Sequence, residues 1–347
     1  MMISNSEENA TEAVDMATMP VQLPRDPDSH AAARARFFNS GNAFNVHLPD
    51  VPAGSFDVDT LFAETSTSPW RACDQSSALG SPVPATTPLM LARYLRLSSD
   101  HHDQPLVIPA EEGRNSGAIW YVISGEGTTE QCGDQFHWGS GDVFMTVGGA
   151  DITLHTEAPS DALLWCVDNS PMLAHEHVMA LPPNTSPGAA APRRVPLPVP
   201  LPVHFPAAEI ERQHETLFST RANDTTSGFA LIFSSEAHER SRNLLPTLTL
   251  SLNTLPAGEV QRPHRHNSAA ITLVLAGAEC STRVDGVRCD WLPSRTLITP
   301  PGALHSHHND DTQGGRARFL IVQDGGLYYL GRTMGFSFAD ALPARPS

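Results

Sequence analysis

Apolar residues in this chain fall in short runs rather than long stripes. Met90 to Leu97, Ala118 to Ser124, Asp142 to Val147 and Ala162 to Val167 are apolar or alternating, with Gly, Asp and Pro between them. That pattern predicts strands joined by turns. It returns at Thr247 to Leu255, Ala269 to Leu275, Ser281 to Val284, Arg295 to Ile298 and Arg318 to Val322. Three short helices are expected beside these strands. Ser29 to Gly41 has a capping serine and a terminal glycine; Asp57 to Thr65 and Ala207 to Leu217 complete the set. Between the two strand-rich regions, Leu181 to Pro206 carries proline at 182, 183, 187, 192, 196, 198, 200, 202 and 206. Proline at that density excludes helix and sheet interior and predicts an extended arm packed on a neighbouring surface.

The two strand-rich regions also resemble each other. Ala118-Ile119-Trp120-Tyr121-Val122-Ile123-Ser124-Gly125 matches Ala270-Ile271-Thr272-Leu273-Val274-Leu275-Ala276-Gly277, an offset of 152 residues. Each is followed by a turn, Cys132-Gly133-Asp134 or Val284-Asp285-Gly286, and a further strand. A repeat this long is a duplicated domain rather than a solenoid unit.

Composition narrows the partners. With 30 prolines and 24 glycines among 347 residues, short strands and turns are favoured over long helices. The formal net charge of −16 argues against nucleic acid and anionic membranes. Five scattered cysteines (Cys73, Cys132, Cys166, Cys280, Cys289) form no Cys-x-x-Cys pair and suit a reducing compartment. The first thirty residues hold six acidic side chains and one arginine, unlike a secretory leader. No run reaches the ~18 apolar residues that span a bilayer. A cytoplasmic location is the expectation. Residues 1 to about 25 read as a polar arm.

The chemistry gathers in the second copy. His264-Arg265-His266 places two imidazoles on one side of a strand, because side chains alternate. His305 follows in Pro300-Pro301-Gly302-Ala303-Leu304-His305-Ser306-His307-His308-Asn309. Neutral imidazole is the commonest ligand of a catalytic metal, so the three read as a metal site. At the constant offset, His264 and His266 fall on Glu112 and Arg114, so the first copy lacks the ligands. His101-His102-Asp103 and His308 read as surface groups, and the pair His175 and His177, which lacks a partner motif, as structural. Trp120, Tyr121, Phe136 and Trp138 read as core or interface of the first copy.

Gly258-x5-His264-x-His266-x3-Ala270-x6-Gly277 resembles the first motif of the cupin superfamily, and residues 300–309 resemble its second. The resemblance implies an all-β, two-domain bicupin of jelly-roll (double-stranded β-helix) barrels with a few short helices. It divides the chain into an arm (1–84), a barrel without ligands (85–175), a Pro-rich connection with a helix (176–244), a metal-binding barrel (245–335) and a tail (336–347). The subgroup it is most similar to comprises gentisate, salicylate and 1-hydroxy-2-naphthoate dioxygenases. That likeness implies Fe(II) on His264, His266 and His305, with His307 near the substrate as a catalytic and binding residue. It also places Asn253 where a substrate-contacting amide lies, and implies a homo-oligomer, with a tetramer favoured. Three departures stand out: Ser294 replaces an expected glycine, Thr272 an arginine, and the ligands lie in the second copy rather than the first.

Many cupins have a glutamate where this chain has Ala270. Three neutral ligands leave a divalent ion its full charge and open positions for a chelating ortho-hydroxybenzoate and dioxygen. The implied reaction is extradiol-type 1,2-cleavage of gentisate, salicylate or a 5-substituted salicylate, in aromatic compound degradation. Arg262, Arg265 and Arg283 could grip the carboxylate. Alternation turns Arg265 outward, which leaves Arg262 and Arg283. Two alternatives remain: an O₂-independent metal cupin (hydrolase, isomerase or decarboxylase), and a non-catalytic cupin that binds a small acid.

Overall fold

The computed structural model describes residues 15–63, 66–101, 104–112, 114–157, 161–180, 201–219 and 229–339. Outside them lie most of the N-terminal polar arm, residues 181–200 of the Pro-rich segment, His102, Asp103 and the last eight residues of the tail. The chain divides into two compact units, Met1–Pro49 and Asp50–Ser347.

In the smaller unit Ser29 does cap a helix, its Oγ accepting from the Ala32 N–H at 3.1 Å. The helix covers only His30–Ala33. The chain then turns extended, and Phe37 exchanges two backbone hydrogen bonds of 3.0 Å with Gln22, so the helix ends well before Gly41.

The larger unit holds four antiparallel sheets that make two barrels. In the N-terminal barrel a six-stranded sheet runs in the order 203–205, 143–147, 117–124, 162–168, 91–97, 70–72. It faces a four-stranded sheet ordered 106–108, 152–156, 126–131, 134–139. The C-terminal barrel repeats this plan, with 54–56, 296–299, 270–276, 317–323, 249–255, 229–233 against 287–290, 280–284, 305–309, 264–266, 336–338. This is the all-β, two-barrel arrangement that the repeat and the motifs imply. Segments that the sequence reading leaves outside the barrels supply edge strands. Trp70–Ala72 and Val203–Phe205 close one large sheet, and Gly54–Phe56 and Phe229–Phe233 close the other. Val203–Phe205 is the described end of the Pro-rich arm, and it does pack as an edge. Residues 336–338, read as tail, form a strand beside His264–His266.

The two six-stranded sheets pack on each other. Ala92, Tyr94, Ile119 and Trp165 of one join Leu250, Leu252, Ile271, Leu273 and Val322 of the other in a single buried core. Such strands are covered on both faces, which explains why they read as continuous apolar runs rather than alternations. The Tyr94 hydroxyl donates to the Ser294 carbonyl at 2.6 Å, and the Trp165 indole donates to Thr296 Oγ1 at 3.0 Å. The polar edges of these large side chains are thereby satisfied across the seam.

Pairing register shows which residues correspond. Two turns with positive φ, Cys132-Gly133 and Asp285-Gly286, anchor the comparison. From them Thr129, opposite Leu154, corresponds to Thr282, opposite His307. Ile152, opposite Ile108, corresponds to His305, opposite His264. The counterpart of His264 is therefore Ile108, and not Glu112 as a constant offset predicts. Connections of unequal length shift the alignment between strands.

Candidate metal centre

His264–His266 is a three-residue strand with the burial pattern its alternation predicts: both histidines buried, Arg265 exposed. His305 lies directly opposite His264 in antiparallel register. The His264 and His305 ring centroids are 4.2 Å apart, His266 and His305 4.8 Å, and His264 and His266 5.9 Å. One ring nitrogen from each lies within 4.8 Å of the other two. The three histidines named from sequence are brought together.

Their hydrogen bonds decide which nitrogen faces inward. His264 Nδ1 contacts the Arg262 carbonyl at 2.9 Å, His266 Nδ1 the Ser268 carbonyl at 2.8 Å, and His305 Nδ1 the Ala303 carbonyl at 3.0 Å. A carbonyl only accepts, so each Nδ1 carries the hydrogen and each Nε2 keeps a lone pair. Backbone carbonyls on the outer nitrogen are the usual support for metal-binding imidazoles. Burial, the largest cause, lowers the affinity of His264 for a proton, takes His266 down to about 4 and takes His305 down to about 3. Three converging, uncharged lone pairs fit a divalent ion of borderline softness.

Several surrounding residues had no sequence signal. Gln323 is the cross-strand neighbour of Ala270, and its amide nitrogen lies 3.3 Å from His266 Nε2 while Ser268 Oγ donates to Gln323 Oε1 at 3.2 Å. It occupies the side of the pocket where Ala270 offers no carboxylate. The Phe336 and Phe338 rings stand 5.2 and 6.4 Å from that of His264. Both come from the segment read as tail. Only the pairing of that segment with His264–His266 brings them here, and nothing in its composition announced it.

The remaining candidates separate. His307 is buried, 4.5 Å from the Phe319 ring and 6.3 Å from that of His305. Burial and the neighbouring imidazoles hold it well below the ordinary histidine range. Asn253 faces the barrel interior, opposite Phe319, with its amide donating to Ser251 Oγ at 2.8 Å. Arg262 stands at the rim, its guanidinium 3.9 Å over the Phe338 ring. Arg283 is a correction: it is exposed and follows Thr282, whose hydroxyl meets His307, so alternation turns Arg283 to the outer face. The phase of that strand was not readable from sequence. His175 and His177 are exposed, and His308 lies on the outer face with Ser306.

Among the described residues a second cluster, Glu211, His214 and Glu215, also brings ligand-type atoms together. Both carboxylates are already matched by guanidinium groups, Glu211 with Arg318 at 2.8 Å and Glu215 with Arg316 at 2.6 Å. A cavity of about 270 Å³ lined by Tyr121, Ile210, Phe233, Leu252 and Arg318 lies at the seam between the barrels.

No family model matches the chain. Over 64 residues it is 39% identical to gentisate 1,2 dioxygenase 1 of Aquipseudomonas alcaligenes, a stretch that is 18% of each protein. A gentisate 1,2-dioxygenase of Ralstonia sp. is 31% identical over 64 residues, again 18% of each. The matched stretch thus spans under a fifth of those relatives' length. The fold match is far broader. A structure of salicylate 1,2-dioxygenase from Pseudoaminobacter salicylatoxidans, in adducts with gentisate, superposes with a TM-score of 0.69 at 14% identity, covering 95% of this chain and 98% of that one. A mutant of that enzyme in complex with gentisate gives 0.68 at 15% identity, covering 87% and 90%. The chain has the fold of those enzymes.

Proposed function

We propose that this protein is an Fe(II)-dependent dioxygenase that opens an ortho-hydroxybenzoate between its hydroxyl- and carboxyl-bearing carbons. The observation that carries the reading is the donor set: three imidazoles, each fixed by a carbonyl, with no carboxylate among them. A divalent ion held there keeps its charge and attracts a chelating phenolate and carboxylate. Bound iron would supply the electron exchange between the chelated ring and dioxygen that a redox-inert ion cannot. The local identity to gentisate dioxygenases and the shared fold with a salicylate dioxygenase support this substrate class.

The chain's own groups divide the remaining work. Thr272, Asn253, Ser251 and Gln323 give the inner face of the sheet a polar lining that can orient oxygen atoms of the substrate. Phe336 and Phe338 screen the histidines from water on the strand edge. Arg262, stacked on Phe338, is placed to meet a carboxylate arriving at the rim. His307 holds or passes a proton at a substrate oxygen.

Oxygen consumption tests this. Iron-loaded protein should take up oxygen with at least one of gentisate, salicylate and 5-substituted salicylates, at one O₂ per ring, while zinc-loaded protein should not. Turnover without oxygen, or with zinc as well as iron, would replace the proposal with Lewis-acid chemistry.

A further inference from the structure

We infer that Thr282 and Trp291 fix the tautomer of His307, so that this imidazole presents an N–H to whatever occupies the metal pocket. The inference deepens the proposed function, since it assigns the donor that would meet a substrate oxygen.

The chain of contacts is short and buried. Trp291 Nε1 lies 2.8 Å from Thr282 Oγ1, and Thr282 Oγ1 lies 2.8 Å from His307 Nδ1. All three residues are at most 6% exposed. An indole N–H can only donate, so Thr282 Oγ1 accepts from Trp291. The hydroxyl hydrogen then needs an acceptor. Among the described residues the only partner left to it is His307 Nδ1. A hydroxyl that accepted from both sides would bury its own hydrogen unpaired, at a cost of about 1–3 kcal/mol. The arrangement that uses every hydrogen runs Trp291 to Thr282 to His307 Nδ1. It leaves the hydrogen of the neutral ring on Nε2.

Two further observations support a designed contact. The backbone pins both ends: the Trp291 N–H donates to the Cys280 carbonyl at 2.9 Å, and the His307 carbonyl accepts from the Gln261 N–H at 2.8 Å. The N-terminal barrel holds the same indole and hydroxyl without the imidazole. There Trp138 Nε1 donates to Thr129 Oγ1 at 3.0 Å, and the residue opposite Thr129 is Leu154. The Trp–Thr pair therefore belongs to the fold, and among the described residues only the C-terminal barrel sets an acceptor beside the threonine hydroxyl. The polarity is also opposite to that of the three ligand histidines, whose Nδ1 carries the hydrogen and whose Nε2 carries none. One pocket thus contains three lone pairs for a cation and one N–H for an oxygen atom. Thr282 and Trp291 are positioning residues acting through His307.

The test reads the tautomer directly. Zinc-loaded, substrate-free protein labelled with ¹⁵N in histidine gives a ring spectrum in which His307 is assigned by its loss in His307→Gln. The expected result is an unprotonated Nδ1 and a protonated Nε2. Thr282→Val should move both signals toward the averaged values of a mixed tautomer, and Thr282→Ser should restore them. With iron and the best hydroxybenzoate, Thr282→Val should lower kcat about 10–100-fold, the usual cost of losing such a partner, with KM little changed. A wild-type spectrum with hydrogen on Nδ1 overturns the inference even if the valine variant does not fold. So does a folded valine variant whose signals do not move. If no hydroxybenzoate is turned over, the function falls while the spectrum still decides the tautomer.

Discussion

The two barrels share a strand order and a register, yet one lines its interior with apolar side chains where the other sets imidazoles. In the N-terminal barrel the positions corresponding to His264, His305 and His307 are Ile108, Ile152 and Leu154, and Trp120 stands where the other barrel has Thr272. Trp120 stacks on Phe144 at 5.5 Å and donates to Thr146 Oγ1 at 2.9 Å, closing the interior with ring on ring. The C-terminal barrel replaces this plug with a threonine and spends the space on imidazoles. The difference shows that this barrel plan does not depend on the histidines: in the N-terminal copy apolar side chains fill the positions that they hold in the other.

Trp120→Thr should cost about 3–5 kcal/mol, because it removes a fully buried ring and strips Thr146 of its donor, without creating a metal site. Thermal unfolding and metal content of the variant check both halves. Thr272→Trp, the reverse exchange, should fill the mouth and lower oxygen uptake with hydroxybenzoates about 100-fold, through a displaced substrate, while the metal stays bound. Loss of the metal together with activity would show that the tryptophan reaches the histidines as well.

Much of the fold and of the site was legible in the sequence, and the reasons are local. His-x-His on a strand and a third histidine in a turn-bounded run need only alternation to be read as a cluster. The strands of the two large sheets are apolar on both faces and announce themselves. What the sequence hid depends on pairing. The Phe336–Phe338 strand became visible only in its register with His264–His266. The outward turn of Arg283 needed the phase of its strand, and Gln323 needed its pairing with Ala270. The correspondence of Thr282 and Trp291 with Thr129 and Trp138 needed loop lengths that a constant offset misses.

In metal-free protein His266 and His305 are pushed by burial from the ordinary 6.5 down to about 4 and about 3. The unfolded chain takes up those protons near pH 6.5 and the folded barrel refuses them, so stability is full above that pH and falls as pH drops toward 3. The Tm of chelator-treated protein should therefore decrease from pH 7 to pH 5, and His305→Ile should remove part of the slope. An unchanged slope in that variant would place the acid sensitivity elsewhere.

The smallest effect concerns a turn. Ser294 holds φ at 60° where a glycine was expected, a left-handed conformation that costs a residue with a Cβ about 1–2 kcal/mol. Its backbone still donates to Val274 and accepts from Tyr94. Ser294→Gly should keep both bonds and raise stability by about 0.5–1 kcal/mol after the entropic cost of glycine, read from denaturant unfolding.

Equilibrium metal binding reaches the centre of the account most directly. Chelator-stripped protein dialysed against Fe(II) under anaerobic conditions should retain one ion per chain, and His305→Ile, which installs the residue of the other barrel, should retain none while keeping its circular dichroism. A wild-type protein that holds no iron, or an isoleucine variant that still holds one, would contradict it.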